Sequence, residues 1–123
     1  MKNDLEHYNN YNFRFCILDE AQFIKNHLTL KAQSVKQIKS EIRFVLTGTP
    51  IENTVTDLWS LFDFLMPNYL YNYKSFSVDF EKEIIGKKNS VAIKKLVKKI
   101  TPFILRRTKK EVLKDLPDKI ETI

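Results

Sequence analysis

Cys16-Ile17-Leu18-Asp19-Glu20-Ala21-Gln22 is the stretch on which the fold turns. An apolar run containing Phe13, Phe15, Cys16, Ile17 and Leu18 stops at two adjacent carboxylates. Such a run predicts a strand buried within a parallel sheet. Open α/β sheets gather their ligands just past the carboxyl ends of their strands. Acidic side chains placed there suit a hydrated Mg²⁺ and the phosphates it carries. Taken alone, an Asp-Glu pair reads as a solvated turn; a second signal shifts the balance.

That signal is Leu46-Thr47-Gly48-Thr49-Pro50-Ile51-Glu52-Asn53, which follows another strand-like run, Phe44-Val45-Leu46. Hydroxyls beside a glycine at a strand end allow close approach to a neighbouring loop, because Gly48 has no Cβ. The same residues would also serve an ordinary strand-to-helix turn, with Thr and Asn as local caps.

Alternating elements are predicted around these two loops. Strand Phe13–Leu18 leads to a helix near Thr29–Lys39 and then to strand Ile42–Leu46. Thr54-x-x-Asp57 opens a helix with the apolar stripe Val55, Leu58, Leu61, Phe62 and Leu65, and Pro67 closes it. The aromatic stretch Tyr69–Phe80 and a helix over Val91–Ile100 form a helical insertion. Ile104-Leu105 is expected to return to the sheet as a strand. Thr108-x-x-Glu111 opens a last short helix, ended by Leu116-Pro117. No internal repeat or low-complexity tract interrupts this order.

A chain of 123 residues is one domain or part of one, marginal for a complete α/β lobe. With 43% hydrophobic and 29% charged residues, it has the balance of a soluble globular protein. No apolar stretch reaches membrane-spanning length, since Asp63 and other polar residues interrupt the longest run. The polar, Asn-rich stretch Met1–Asn12 lacks the apolar core of a secretory signal. The single cysteine, Cys16, reads as a small buried hydrophobe and fits a cytosolic compartment.

Net charge is +6, and the excess gathers in the second half as Lys87-Lys88, Lys94-Lys95, Lys98-Lys99, Arg106-Arg107 and Lys109-Lys110. A basic surface is what binding to a phosphate backbone requires. Lys94, Lys95, Lys98 and Lys99 also fall opposite Ile93, Leu96, Val97 and Ile100 on one helix, the pattern of a solvated face.

Order, spacing and residue choice together resemble one family, the Swi/Snf-type (sucrose-nonfermenting) ATPases, superfamily-2, helicase-related DNA translocases. Ile17 to Gln22 with Ile24-Lys25-Asn26 is similar to that family's Walker B box, motif II. Leu46 to Asn53 is similar to motif III, and Asp57-Leu58-Trp59-Ser60-Leu61-Phe62-Asp63-Phe64-Leu65 to the helix after it. Pro102-Phe103-Ile104-Leu105-Arg106-Arg107-Thr108-Lys109, with Val112, Leu116-Pro117 and Lys119, resembles a box found in this family and hardly elsewhere. The chain departs from the pattern at Pro67-Asn68, where relatives carry Pro-Gly, at His27, where many carry proline, and over Tyr69–Asn89. These departures are expected to fall in a variable surface insertion and to bear on partner specificity.

The resemblance implies an α/β fold, the carboxyl-side half of a RecA-like P-loop NTPase lobe with a helical insertion. Residues 1–66 would be part of the first lobe, 67–101 a helical protrusion, and 102–123 the return strand and start of the interlobe linker. It implies ATP and Mg²⁺ as cofactors and double-stranded DNA as partner, with no membrane. In an intact motor Asp19 would hold Mg²⁺ through water and Glu20 would polarise the attacking water. Gln22 and Thr47-Gly48-Thr49 would couple nucleotide state to the DNA face. Lys94, Lys95, Lys98, Lys99, Arg106 and Arg107 are the candidate DNA contacts, with the two arginines bracing the lobe or linker.

No G-x-x-x-x-G-K-[ST] cradle is present: Gly48 and Gly86 are the only glycines, and Glu81 and Lys88 stand where that motif around Gly86-Lys87 needs a glycine and a hydroxyl. The chain is therefore expected to begin just before motif II and to stop about where a second lobe begins. Its partners would include the missing lobes, on the same gene or another chain. It is expected to be inactive alone and to reside in the cytoplasm, at the nucleoid of a bacterium or in the nucleus of a eukaryote. A non-catalytic nucleic-acid-binding or interaction module derived from such a motor is the alternative.

Overall fold

A computed structural model describes residues 5–48 and 54–107. Strands β1 (Phe13–Leu18) and β2 (Ser40–Val45) run parallel, in register from Phe13 opposite Ser40 to Leu18 opposite Val45. Parallel pairing requires a crossover. Here it is a 3₁₀ turn, Ala21–Ile24, followed by a helix over Leu30–Lys36. A short helix α1, Leu5–Tyr8, precedes β1, so the crossover helix is α2. The Thr29 hydroxyl caps α2 by accepting from the Ala32 N–H at 3.2 Å. That helix is shorter than the Thr29–Lys39 expectation, and β2 starts two residues before Ile42. Arg43 closes the end of α2, its guanidinium donating to the carbonyls of Ile38 at 2.6 Å and Lys36 at 3.4 Å. Strand β2 begins at Ser40 because Phe13 pairs there, with its N–H on the Lys39 carbonyl at 3.0 Å.

Helix α3, Val55–Leu65, organises the rest. Its cap matches the sequence reading: the Thr54 hydroxyl accepts from the Asp57 N–H at 3.0 Å. The helix stops at Leu65, ahead of Pro67, as the steric demand of proline on preceding residues requires. The Val55, Leu58, Leu61, Phe62, Leu65 stripe is wider than expected, because Trp59, Ser60 and Phe64 are buried as well. The reason is that α3 serves two cores. Leu61 and Phe64 join Ala21, Ile24, Ala32, Val35 and Ile38 beneath the sheet, with Leu5, Cys16, Leu18 and Val45 packed alongside. Leu58, Trp59 and Phe62 join Leu70, Phe76, Phe80 and Leu96 on the other side.

The second core corrects one expectation. The stretch from Tyr69 to Asn89 is no surface embellishment, since Leu70, Phe76 and Phe80 are buried against α3. It forms α4 (Tyr73–Phe76), which continues into a π-helical segment, Ser77–Gly86, and is followed by α5 (Ser90–Ile100). Asn72 and Asn89 cap α4 and α5 by accepting from the N–H groups of Ser75 at 2.9 Å and Val91 at 3.0 Å. His27 is likewise inside this packing, with its ring 4.4 Å from Tyr73 and 5.3 Å from Trp59.

Two further expectations change. Ile104-Leu105 forms no strand; after a 3₁₀ turn, Thr101–Phe103, these residues continue as exposed irregular chain. Local apolar character cannot supply the pairing partner a strand needs. The buried-strand reading of β1 holds for one face only. Cys16 and Leu18 pack on the first core, whereas Phe15 is 50% and Ile17 60% exposed, with Ile42 and Phe44 beside them on the open face. Cys16 itself is half-buried, and its burial raises the thiol pKa despite the opposing charge of Arg43. The expected helix from Thr108 lies outside the described residues.

Candidate functional site

The two loops singled out in the sequence meet at the carboxyl ends of the parallel strands. Backbone bonds join them: the Leu46 N–H donates to the Leu18 carbonyl at 2.7 Å, and the Ala21 N–H to the Leu46 carbonyl at 3.1 Å. These bonds extend the β1–β2 ladder past Leu18 and fix where the Asp19-Glu20 corner begins.

Glu20 turns that corner in the left-handed conformation, φ 52° and ψ 50°. A residue with a Cβ gives up about 1–3 kcal/mol there, a strain that clusters at functional sites. Part of the compensation is visible: the Glu20 N–H donates to Asp19 Oδ1 at 2.8 Å. Both carboxylates face solvent. Gln22 Nε2 donates to Glu20 Oε2 at 2.6 Å, and Gln22 Oε1 accepts from the Thr47 hydroxyl at 3.4 Å. A carboxylate can only accept, so the amide must present its NH₂ to Glu20 and its oxygen to Thr47. Glu20, Gln22 and Thr47 thus form one connected chain of side chains. Gly48 is exposed beyond it with open space where a Cβ would stand, and Thr49 lies outside the described residues.

The donor set suits a hard cation. Among the described residues no three or more His, Cys, Asp or Glu side chains gather as a metal cage. Asp19 Oδ2 remains open to water, which fits Mg²⁺ held by one or two carboxylates plus water and phosphate oxygens. Asp19 is the residue that would hold it.

The basic residues are dispersed. Lys94, Lys95 and Lys98 are exposed along α5, and Arg106 and Arg107 are exposed in the chain after it. Lys99 is set apart: half-buried, its ammonium sits over the rings of Tyr69 and Tyr71 at 5.6 and 5.1 Å, and its carbonyl accepts from the Tyr69 hydroxyl at 3.0 Å. Its neighbours are aromatic rings, a structural engagement that spacing alone does not reveal.

Three supports behind the site escaped the sequence reading. Arg43, opposite Cys16 in the sheet, also donates to the Phe64 carbonyl at 2.7 Å and stacks over the Phe64 ring at 5.0 Å. It thereby closes the carboxyl ends of α2 and α3. A cation inside an apolar strand was the available clue. Buried Ser60 donates to the Ile24 carbonyl at 2.7 Å, tying α3 to the turn that carries Gln22. Lys36 pairs with Asp63 at 2.7 Å while lying over the Trp59 ring at 5.1 Å, linking α2 to α3.

In the second core, Glu81 accepts from the hydroxyls of Thr56, Ser77 at 2.5 Å and Tyr73 at 3.1 Å. The bonds from Ser77 and then Thr56 hold its carboxyl pKa below the usual value. The residue that fails the phosphate-loop pattern is thus a structural acceptor joining the amino end of α3 to the insertion.

Comparison with known proteins places this architecture. The chain is 49% identical over 122 residues to an uncharacterized ATP-dependent helicase of Mycoplasma genitalium, and 45% identical over 130 residues to the TATA-binding protein-associated factor MOT1 of Saccharomyces cerevisiae. These alignments cover 99% and 97% of the chain but only 11% and 7% of the relatives. It superimposes on the Sulfolobus solfataricus SWI2/SNF2 ATPase core in complex with double-stranded DNA, with a TM-score of 0.84 and 44% identity, over 98% of this chain and 27% of that one. The same organism's ATPase core domain gives a TM-score of 0.75 at 47% identity, over 94% of this chain and 24% of that one. The expected α/β, RecA-like fold and the resemblance are both borne out. The profile of the SNF2-related domain matches residues 1–123, and the chain belongs to that family as part of a SWI2/SNF2-type ATPase core.

Proposed function

We propose that these residues are the Mg-ATP hydrolysis edge of an ATP-dependent double-stranded DNA translocase and the first link of its coupling to DNA. The observation that carries this reading is the Glu20–Gln22–Thr47 chain. It joins a strained, solvent-facing carboxylate to the adjacent strand-end loop, so a change at one end is felt at the other. The relatives support it, one named an ATP-dependent helicase and a structural neighbour holding duplex DNA.

In this reading Asp19 holds Mg²⁺ through water, and Glu20 orients and polarises the attacking water as general base. The cation, when bound, neutralises charge developing on the transferred phosphoryl group. Gln22 fixes which way the Glu20 carboxylate points, because its donor occupies Oε2 and leaves Oε1 for water. Its other end passes that orientation to Thr47 and onward to Gly48 and Thr49. Arg106 and Arg107 engage no carboxylate among the described residues. They are exposed cations available to a phosphate backbone or to a neighbouring lobe.

The test is ATP turnover by a complete ATPase core. Glu20→Gln and Asp19→Asn should each abolish DNA-stimulated hydrolysis while nucleotide binding survives in the first. Residues 1–123 alone, without a phosphate cradle in their sequence, should give no turnover above a Glu20→Gln control. Retained hydrolysis in the Glu20→Gln core would remove Glu20 from the chemistry.

A further inference from the structure

Helix α5 buries only Ala92 and Leu96 fully, with Ile100 and Lys99 half-buried beside them. The rest of its surface faces outward, and that surface is mixed. Ile93 is 41% exposed and Val97 49%, one turn apart in a single stripe. Lys94 lies one turn from Val97, and Lys98 one turn from Lys94, so the two lysines edge the stripe along one side. Val91 and Lys95 complete the exposed arc. No acidic residue occurs in the helix, and Lys94, Lys95 and Lys98 have no ion-pair partner among the described residues. The following turn, Thr101–Phe103, packs on α5 with the half-exposed ring of Phe103 against Tyr69, on the side of Lys99.

We propose that the Ile93–Val97 stripe and its Lys94–Lys98 rim form a protein-docking face for an acidic amphipathic segment. Such a segment carries apolar side chains every three or four residues, edged by carboxylates. Charge complementarity selects its sign, and the stripe selects its periodicity. A phosphate backbone is the weaker match. It would use the lysines but gain nothing from exposed Ile93 and Val97, and Lys99 is already engaged by Tyr69 and Tyr71. This surface is separate from the Asp19-Glu20 corner, so its occupancy and ATP hydrolysis are tested independently.

The experiment titrates the 123-residue chain carrying Ile17→Lys, a charge on the exposed face of β1 that keeps it monomeric, and follows the amide shifts of α5. The probes are an acidic helical peptide of about 18 residues, five turns long, a scrambled peptide of the same composition, and a short DNA duplex. The periodic peptide should bind with shifts centred on Ile93 to Val97, and the scrambled one should not. Ile93→Ser/Val97→Ser should weaken peptide binding about tenfold, as removal of a central apolar anchor does, without altering affinity for duplex. Lys94→Gln/Lys98→Gln, which leaves the apolar stripe intact, should weaken the peptide and flatten its salt dependence. Unchanged helix content by circular dichroism confirms that both variants fold. Equal binding of the scrambled peptide, absence of peptide binding, or a duplex that displaces the peptide from α5 would each overturn the proposal.

Discussion

The side-chain amide of Gln22 holds the carboxylate of Glu20 at 2.6 Å while its oxygen reaches the Thr47 hydroxyl at 3.4 Å. A flexible glutamate is thereby restricted to a subset of rotamers, on a backbone already turned left-handed. Positioning of this kind affects the step in which a proton moves more than the binding of substrate. Gln22→Ala in a complete ATPase core should lower kcat about tenfold, a fraction of what a general base supplies, with KM for ATP little changed. Gln22→Glu should be worse, since it sets a second carboxylate against Glu20. Steady-state kinetics checks both; a rise in KM at constant kcat would reassign Gln22 to nucleotide binding.

Arg43 supports the sheet from behind. Its guanidinium donates to the carbonyls of Ile38, Lys36 and Phe64 and to the Ser40 Oγ at 3.1 Å. Arg43→Ala leaves partly buried acceptors without donors, a loss of about 2–3 kcal/mol for hydrogen bonds to a charged group. Arg43→Lys should recover only part of it, because an ammonium cannot span several diverging carbonyls. Denaturant unfolding of the three proteins gives the ranking, and equal stability of wild type and Arg43→Ala would remove Arg43 from this role.

Stability should fall on the acid side in two separable stages. The His27 pKa is lowered, first by burial and then by the charge of Lys36, against the opposing pull of Asp63 and Glu81. A group with a depressed folded pKa contributes fully above its unfolded value and loses that contribution as pH falls. For His27 the loss begins near 6.5. Glu81, depressed by its bonds from Ser77 and Thr56, follows the same sign with a window that begins near 4.5. His27→Asn should erase the upper stage and Glu81→Gln should reduce the lower, to which Glu83, also lowered by its bonds from Lys87 and Asn89, adds with the same sign. Unfolding midpoints measured across pH separate them, and a wild-type curve flat below 6.5 would contradict the His27 assignment.

What was legible in the sequence was local. The β1 run, the Asp19-Glu20 corner and the Thr54 cap are fixed by near neighbours, and the structure has each in place. What was not legible depended on distant partners. Ile104-Leu105 has the composition of a strand, but pairing is decided elsewhere in the chain. Arg43 sits in an apolar run, and only the fold brings the ends of α2 and α3 to it. Lys99 follows the spacing of its neighbouring lysines, yet Tyr69 and Tyr71 capture it. Glu20 is of a residue type that does not advertise a left-handed backbone. The family resemblance put Gln22 and Thr47 together in one role, and the geometry supplies the bond between them.

The open face of the sheet leads to a last prediction. Phe15 and Phe44 stack at 6.4 Å with the Arg14 guanidinium 5.5 Å from the Phe15 ring, Ile17 and Ile42 lie beside them, and all four apolar side chains remain 43–60% exposed. Contiguous exposed apolar surface of this kind drives association, and strand edges offer unpaired backbone groups to a second chain. The 123-residue chain in isolation should therefore self-associate, with apparent mass rising with concentration in sedimentation velocity. Ile17→Lys places a charge in the middle of the face, where the wild-type side chain is 60% exposed and makes little contribution to the core. It should restore a monomer without loss of helix content. Arg43→Ala, which acts on the opposite face, should lower stability and leave the association pattern unrelieved. A wild-type chain that stays monomeric across concentrations, or an Ile17→Lys chain that associates as strongly as wild type, would show that this face is not the sticky one.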